Sequence, residues 1–185
     1  LGQYTYGNDS PFAALNAACF EDGICLKVPN GVQLELPIQI MHVATAQPQA
    51  YAIFARCWIH MEAGSKATVM ETFHGMDQGV YLSAPTLECL LEDQAHLEHI
   101  KVQDESKQAF HMACIYARIT RDARMDSHHL SLGGLISRNH IRTHLDGPGL
   151  RCMLNGLSIA QANQVIDHHM VVDHAQPHTE SHEYF

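Results

Sequence analysis

The feature that most constrains the fold is a strand, corner, strand unit at residues 131–158. One face of residues 135–145 carries Leu135, Ser137, Asn139, Ile141, Thr143 and Leu145, and the other carries Ile136, Arg138, His140, Arg142 and His144. A period of two is typical of a β-strand with one drier and one wetter face. Residues 146–149 are Asp-Gly-Pro-Gly, which favours a tight reversal because glycine tolerates positive φ and proline fixes its own. A second alternating run follows at 150–155.

The same unit recurs along the chain. Alternation predicts strands at 56–61, 67–73, 86–91, 95–102 and 112–119, and again from residue 123. The corners between paired strands begin at residues 62, 92, 121 and 146, so they are 30, 29 and 25 residues apart. A loose period in this range indicates coils or hairpins that stack on one another.

Two all-β architectures fit this pattern. If each corner is a hairpin, the chain forms a sandwich or barrel; if each corner turns the chain through part of a coil, it forms a parallel β-helix. Alternation fixes the faces of a strand but not its neighbours, so both architectures stay open at this point. Several strands carry Ala, Cys and His where Val or Ile is usual, which slightly favours the narrow core of a solenoid.

The amino end differs from the rest of the chain. Ser10 and Pro11 offer an N-cap and a first-turn proline ahead of an alanine-rich run, which predicts a short helix. We therefore predict a helical or loop segment at residues 1–21 and a β core domain at residues 22–185. A first strand is expected at 24–28 and a second at 32–43, which Pro37 weakens or ends.

Charge and hydropathy narrow the classes of partner. Eleven basic and twenty acidic residues give a net charge of −9, with no basic cluster that could follow a phosphate backbone. Nucleic acid and anionic membrane surfaces are therefore not expected as partners. No apolar run approaches the ~20 residues that span a bilayer, and the first residues lack the pattern of a signal peptide, so we predict a cytoplasmic protein.

Six cysteines, at residues 19, 25, 57, 89, 114 and 152, are scattered singly. None forms a CxxC pair or a zinc-ribbon spacing. Most lie inside apolar alternation, and we predict that each is a reduced thiol packed in the core.

Histidine is in excess, with fifteen residues in the chain. The candidates for metal ligands are His140, His144, His168, His174 and His178, because neutral imidazoles beside carboxylates bind iron, zinc or copper. Residues four apart on one strand face are separated by nearly ~14 Å at ~3.4 Å per residue. These histidines could therefore share an ion only across adjacent strands.

Enzyme motifs offer little support for catalysis. There is no GxGxxG, GxxxxGK[ST], GxSxG or HExxH pattern, and we assign no catalytic residue. The cupin metal pattern needs HxH, which the sequence lacks. A cupin-like enzyme with a histidine-bound metal is the alternative to a protein without catalytic activity.

Several segments resemble the SufB/SufD iron-sulfur cluster assembly family, and its SufD branch in particular. The central ones are LGGLISRN at 132–139, RTHLDG at 142–147, LRCMLNGL at 150–157 and DHAQPHTES at 173–181. Weaker matches are EAGSKATV at 62–69 and AHLEHIK at 95–101. Together they cover about residues 22 to 185.

The resemblance implies a right-handed parallel β-helix and a non-catalytic scaffold subunit. Such a subunit pairs with a SufB-like protein and is driven by a SufC-like ATPase in a cytoplasmic complex that builds clusters from iron and persulfide sulfur. It implies no resident cofactor, only contact with iron or a transient cluster.

The chain also departs from the family pattern. The family's carboxyl-terminal helical region and its Cys-Ser-His-Gly segment have no counterpart here, so no active residue is carried over. We expect a short homologue or a core fragment, and we expect an open terminal coil to favour a homodimer.

Overall fold

A computed structural model describes residues 10–45, 47–76, 79–161 and 163–185 of the chain. Within them lie one helix and fourteen strands: α1 Pro11–Cys19, β1 Gly23–Val28, β2 Ile38–Ala44, β3 Tyr51–Ile53, β4 Arg56–Met61, β5 Lys66–Gly75, β6 Tyr81–Ser83, β7 Thr86–Leu91, β8 His96–Asp104, β9 Phe110–Ile119, β10 Arg124–Ser131, β11 Ile136–Leu145, β12 Arg151–Ser158, β13 Val165–His174 and β14 Glu180–Tyr184.

The strands form two parallel sheets. In the first sheet the order is β1-β4-β7-β9-β11-β13, with β3 and β6 joining at β9. In the second sheet the order is β14-β12-β10-β8-β5-β2. The chain alternates between the sheets and advances one coil at a time, which confirms the right-handed parallel β-helix. A cupin-like barrel is not favoured, because that fold is built from antiparallel strands.

A left-handed backbone residue marks the corner of each coil. At these corners the residues with positive φ are Gly31, Gly64, Gln94, Asp122, Gly149 and His178. The first five of these residues each donate the backbone N–H to the next corner, for example Gly64 N to the Asp93 carbonyl at 2.9 Å. The corners predicted from the sequence are therefore turns of a coil and not hairpins.

One predicted strand is misplaced. Alternation at 32–43 predicts a strand that Pro37 interrupts, but β2 begins only at Ile38, after the proline. Residues 32–37 contribute a single bridge, from Gln33 to Lys66. The cause is that proline has no N–H to donate to a sheet.

The apolar core fills the half of the interior that lies next to the corners. Buried side chains from both sheets stack there coil on coil, including Ile59, Met61, Val69, Leu87, Leu91, Leu97, Ile115, Ile119, Met125, Ile141, Leu145 and Leu154. Cys57, Cys89, Cys114 and Cys152 are buried free thiols, as predicted. The prediction was wrong for Cys19 and Cys25, which are exposed. Cys19 ends the helix, and Cys25 lies on β1, the first strand of its sheet.

Helix α1 lies against the outer face of the first sheet. Ala13 is buried against Cys114 and Tyr116 of β9. The fully buried Asn16 amide donates to the carbonyls of Ala55 at 2.9 Å and Ala84 at 2.8 Å. Ser10 precedes the helix as predicted, yet its hydroxyl contacts the Cys114 sulfur at 3.3 Å and does not cap the helix.

The predicted segment at residues 1–21 is described only from Ser10 onward, and residues 1–9 lie outside the described part. Its boundary with the core at residue 22 stays a prediction. In the described ranges, no helix combines the length and apolar character that a bilayer crossing requires.

Candidate functional site

The interior away from the corners is polar. Inward positions that would carry aliphatic residues in a dry core are instead Glu71, His99, Lys101, Gln103, His111, Ser127, His129, Ser131, Ser137 and Asn139, and all of them are buried. A buried polar group without a hydrogen-bond partner is costly. Most of these side chains bond one another in two connected clusters, whereas Ser137 Oγ and His129 Nδ1 have no hydrogen-bond partner among the described residues.

The first cluster crosses four successive strands of the second sheet. His42 Nε2 lies 3.0 Å from Glu71 Oε1, and His99 Nε2 lies 3.4 Å from Glu71 Oε2. His99 Nδ1 is 2.9 Å from the Ser127 hydroxyl, which is 2.9 Å from His129 Nε2. We call this row of side chains the histidine row.

The chemistry of the row fixes its proton positions. The Glu71 carboxylate only accepts, so His99 donates from Nε2 and accepts at Nδ1 from the Ser127 hydroxyl. The Ser127 oxygen can then accept from Nε2–H of His129. One consistent set of donors and acceptors thus connects the row from Glu71 to Nε2 of His129.

The second cluster surrounds Lys101. The ammonium donates to Asn139 Oδ1 at 2.5 Å and contacts His111 Nε2 at 2.8 Å. His111 Nδ1 lies 2.6 Å from the buried Glu105 carboxylate. Nζ of Lys101 also lies 5.1 Å from the centre of the Phe73 ring, a distance at which a cation interacts with an aromatic face.

Burial governs the ionisation of the two clusters. It lowers the pKa of Lys101 to about 8, although the carboxylates of Glu71 and Glu105 oppose that change. Burial by itself would raise the pKa of Glu71, but hydrogen bonds from His42 and His99 hold it well below its usual range. The pKa of Glu105 is likewise lowered, because the nearby His111 outweighs burial. Both carboxylates are therefore charged at neutral pH.

The buried imidazoles of His111 and His129 are neutral at the same pH. Burial lowers the pKa of His111, and the charge on Lys101 lowers it further. Burial also lowers the pKa of His129, well below its ordinary value. The hydrogen bonds of His99, Ser127 and His129 run along the solenoid axis, and the ammonium of Lys101 lies in the neighbouring cluster.

Acid should therefore destabilise the protein. The unfolded chain takes up a proton on each imidazole near pH 6.5, whereas His111 and His129 in the folded state do not until lower pH. Stability is then full above pH 6.5 and falls as the pH drops below it. Urea unfolding at pH 7.5 and 5.5 should show a loss of about 1 kcal/mol for each of these two histidines.

The replacement His129→Gln should reduce that loss, and His169→Gln, at an exposed position, controls for the removal of a histidine. Equal pH dependence in wild type and His129→Gln would contradict the assignment.

The structure separates the five histidines predicted as metal ligands. His140 and His144 lie on the outer face of β11, where His140 stacks on His169 at 5.0 Å and His144 bonds the Asp173 carboxylate at 2.8 Å. His168 points inward from β13 and contacts the Ser158 hydroxyl at 3.0 Å. His174 bonds Thr179 at 2.6 Å, and His178 is the left-handed residue of the last corner.

Across the adjacent strand, His140 and His144 contact His169 and Asp173 and not another of the five, and the five side chains do not converge. Their use as metal ligands stays a prediction.

A different group of ligand atoms does converge, at the other end of the solenoid. His42, Cys57 and Glu71 offer an imidazole, a thiol and a carboxylate, and those atoms lie within 4.8 Å of one another. Sequence analysis missed this group because its members are 15 and 14 residues apart and belong to three strands. Only the register of the coils brings them together.

An open cavity of about 760 Å³ lies beside this group. It is lined by the end of α1, the start of β1, residues 52–57 and the side chain of His42. A cavity of this size is in the range that holds small ligands.

Comparison with known proteins adds an independent line of evidence. The family model described as SUF system FeS cluster assembly, SufBD core domain, matches residues 42–185. An iron-sulfur cluster assembly SufBD family protein of Synechocystis is 24% identical over 96% of this chain and 41% of its own length. The iron-sulfur cluster assembly protein SufD of Escherichia coli is 26% identical over 80% of this chain and 36% of its own length.

A plant protein is similar to the same degree. The chloroplastic protein ABCI7 of Arabidopsis thaliana is 25% identical over 88% of this chain and 36% of its own length. The chain thus spans between 36% and 41% of the length of these three curated relatives.

Proposed function

Because the chain belongs to the SufBD family of SUF system iron-sulfur cluster assembly proteins, we propose that it is a scaffold subunit of that machinery. The observation that carries the proposal is the family match to residues 42–185. That range begins within β2 and runs through β14, so it covers almost the entire solenoid. In this proposal the chain performs no covalent step of its own and acts by holding partners in place.

The finer proposal is a SufD-like role in the cytoplasm. A SufD-like chain would pair with a SufB-like subunit and be driven by a SufC-like ATPase. Similarity to the SufD protein of Escherichia coli supports this choice. Iron and the growing cluster would be cargo that contacts the scaffold transiently, and the five histidines named above are the sequence-based candidates for that contact.

The last coil offers a surface suited to a partner. Among the described strands, β13 and β14 each pair with one neighbour, so the other edge of each presents unpaired backbone groups. Large apolar side chains are exposed on and around this coil: Leu157, Ile159, Val165, Tyr184 and Phe185. We propose that a SufB-like subunit covers this surface, which we call the terminal edge; a second copy of this chain is the alternative occupant.

Co-purification tests the partner contact. The chain, expressed with SufB-like and SufC-like subunits, should elute with both in a complex larger than the chain alone. Val165→Lys should weaken that complex at least about tenfold, because it places a charge in an apolar contact. Val165 is 55% exposed, so the isolated chain should fold normally.

Val43→Lys is the matched control, since Val43 is 45% exposed at the opposite end of the solenoid. An elution volume that the other subunits do not change would argue against the proposed pairing. A symmetric complex of this chain alone, lost in Val165→Lys, would identify the second copy as the occupant.

A further inference from the structure

Three side chains of different chemistry meet at the first coils of the solenoid. His42 comes from β2, Cys57 from β4 and Glu71 from β5, so both sheets contribute. Within the described ranges this is the only group of three or more His, Cys, Asp or Glu residues with converging ligand atoms. None of its members is among the histidines predicted from the sequence.

The spacing of the three ligand atoms fits one metal ion. Zinc binds sulfur at about 2.3 Å, and nitrogen or carboxylate oxygen at about 2.0 to 2.2 Å. Ligand atoms around such an ion are therefore roughly 3 to 4 Å apart. His42 Nε2 and Glu71 Oε1 are 3.0 Å apart, and all three atoms lie within 4.8 Å, so small side-chain adjustments complete the geometry.

We propose that His42, Cys57 and Glu71 form a binding site for a divalent transition-metal ion of the zinc, cobalt or ferrous class. A thiolate and a carboxylate carry two negative charges, which a dication neutralises, so the occupied site has no net charge. Binding would release the thiol proton to solvent and move the His42 proton from Nε2 to Nδ1. Mixed sulfur, nitrogen and oxygen ligands disfavour calcium and magnesium, which take oxygen ligands.

Neighbouring groups hold the ligands in position. His99 fixes the orientation of Glu71 by a hydrogen bond, because its Nε2 lies 3.4 Å from the second carboxylate oxygen. The His42 ring stacks on Phe73 with ring centres 4.3 Å apart and planes inclined by 6°. Such support around the ligands typically raises metal affinity by fixing their orientation.

The environment of Cys57 also suits a metal ligand. Burial raises the pKa of its thiol, and the neighbouring Glu71 carboxylate raises it further. Cys57 is therefore a neutral thiol when no cation is nearby and is poorly suited to act as a free nucleophile. A metal ion would favour the thiolate.

The site can be reached from solvent. Both His42 and Cys57 line the open cavity at this end of the solenoid. Three protein ligands leave a fourth position for water or a ligand that enters through the cavity. This inference does not depend on the proposed function, since the geometry alone carries it.

Cobalt binding provides the test. We would titrate Co²⁺ into the full chain carrying Cys19→Ser and Cys25→Ser, which removes the two exposed thiols. The expected result is one Co²⁺ per chain with a thiolate-to-cobalt charge-transfer band, displaced by Zn²⁺. Adding Cys57→Ala should abolish the band, and adding His42→Ala should weaken binding at least about tenfold.

Two matched variants separate ligand loss from general damage. Cys89→Ala removes a buried thiol on the next strand, β7, and His60→Ala removes a histidine paired with the Glu92 carboxylate at 2.7 Å. Both should retain the band and the affinity.

The proposal is overturned if the Cys19→Ser, Cys25→Ser chain shows no charge-transfer band. It is also overturned if a folded Cys57→Ala or His42→Ala variant binds Co²⁺ as tightly as that chain. Should Cys57→Ala fail to fold, the partly exposed His42 still provides the decisive variant.

Discussion

Replacing Glu88 by alanine is expected to destabilise the protein by about 3 to 5 kcal/mol, the usual cost of removing one partner from a buried ion pair. Glu88 is completely buried and Arg56 is 2% exposed. The carboxylate accepts from Arg56 Nε at 3.1 Å and from Nη2 at 2.5 Å. Without it, the guanidinium charge stays beneath α1, where the side-chain amide oxygen of Asn16, 2.9 Å from Nη1, is a neutral acceptor.

The measurement is urea unfolding followed by circular dichroism. Asp146→Ala is the control, because it removes the carboxylate from the partly exposed Arg118 pair. A partly exposed ion pair contributes about 0 to 1 kcal/mol. If the free energy of unfolding falls by the same small amount in both variants, the ion pair of Arg56 and Glu88 contributes little to the docking of α1.

Replacing Lys101 by methionine should cost about 1 to 3 kcal/mol, the usual cost of leaving a buried hydrogen-bonding group without its partner. The change keeps most of the volume but removes the donor to Asn139 and the cation near Glu105 and Glu71. The Asn139 amide oxygen then loses its donor, and the carboxylates of Glu71 and Glu105 lose the nearby positive charge. Urea unfolding at pH 7.5 measures the loss, and Lys66→Met, at an exposed position, controls for removal of a lysine.

The contribution of Lys101 to the stability of the folded protein should increase as the pH rises above 8. In the folded protein the pKa of Lys101 is lowered to about 8, against an ordinary value of 10.5. Between these values the unfolded chain binds the proton more tightly, so raising the pH stabilises the folded state through this group. The stability gap between wild type and Lys101→Met should therefore widen from pH 8 to pH 10. A constant gap would mean that Lys101 keeps its proton throughout.

The secondary structure of the solenoid could largely be predicted from the sequence. Alternation and turn residues are local signals, and they located the strands on either side of the corners at Gly64, Gln94 and Gly149. The error at residues 32–37 also has a local cause: alternation suggested a strand where Pro37 prevents regular pairing. The choice between barrel and solenoid could not be made locally, because hairpins and coil corners use the same residues.

The candidate sites could not be predicted in the same way. The contact between His99 and Ser127, and the convergence of His42 with Cys57, depend on which residue faces which across neighbouring coils. Coil lengths vary, so a fixed repeat does not give that register. A weak signal was present nonetheless: the inward positions of β8 carry His99, Lys101 and Gln103, where a dry core would carry aliphatic residues.

The role in cluster assembly is tested most directly by the activity of an iron-sulfur enzyme in cells that depend on the SUF system. With the gene deleted, the proposed function predicts that this activity falls, although the enzyme's polypeptide is still made. Wild type and Val43→Lys should restore the activity, whereas Val165→Lys should not. Full activity in the deleted strain under iron limitation would contradict a role for this chain as an assembly scaffold.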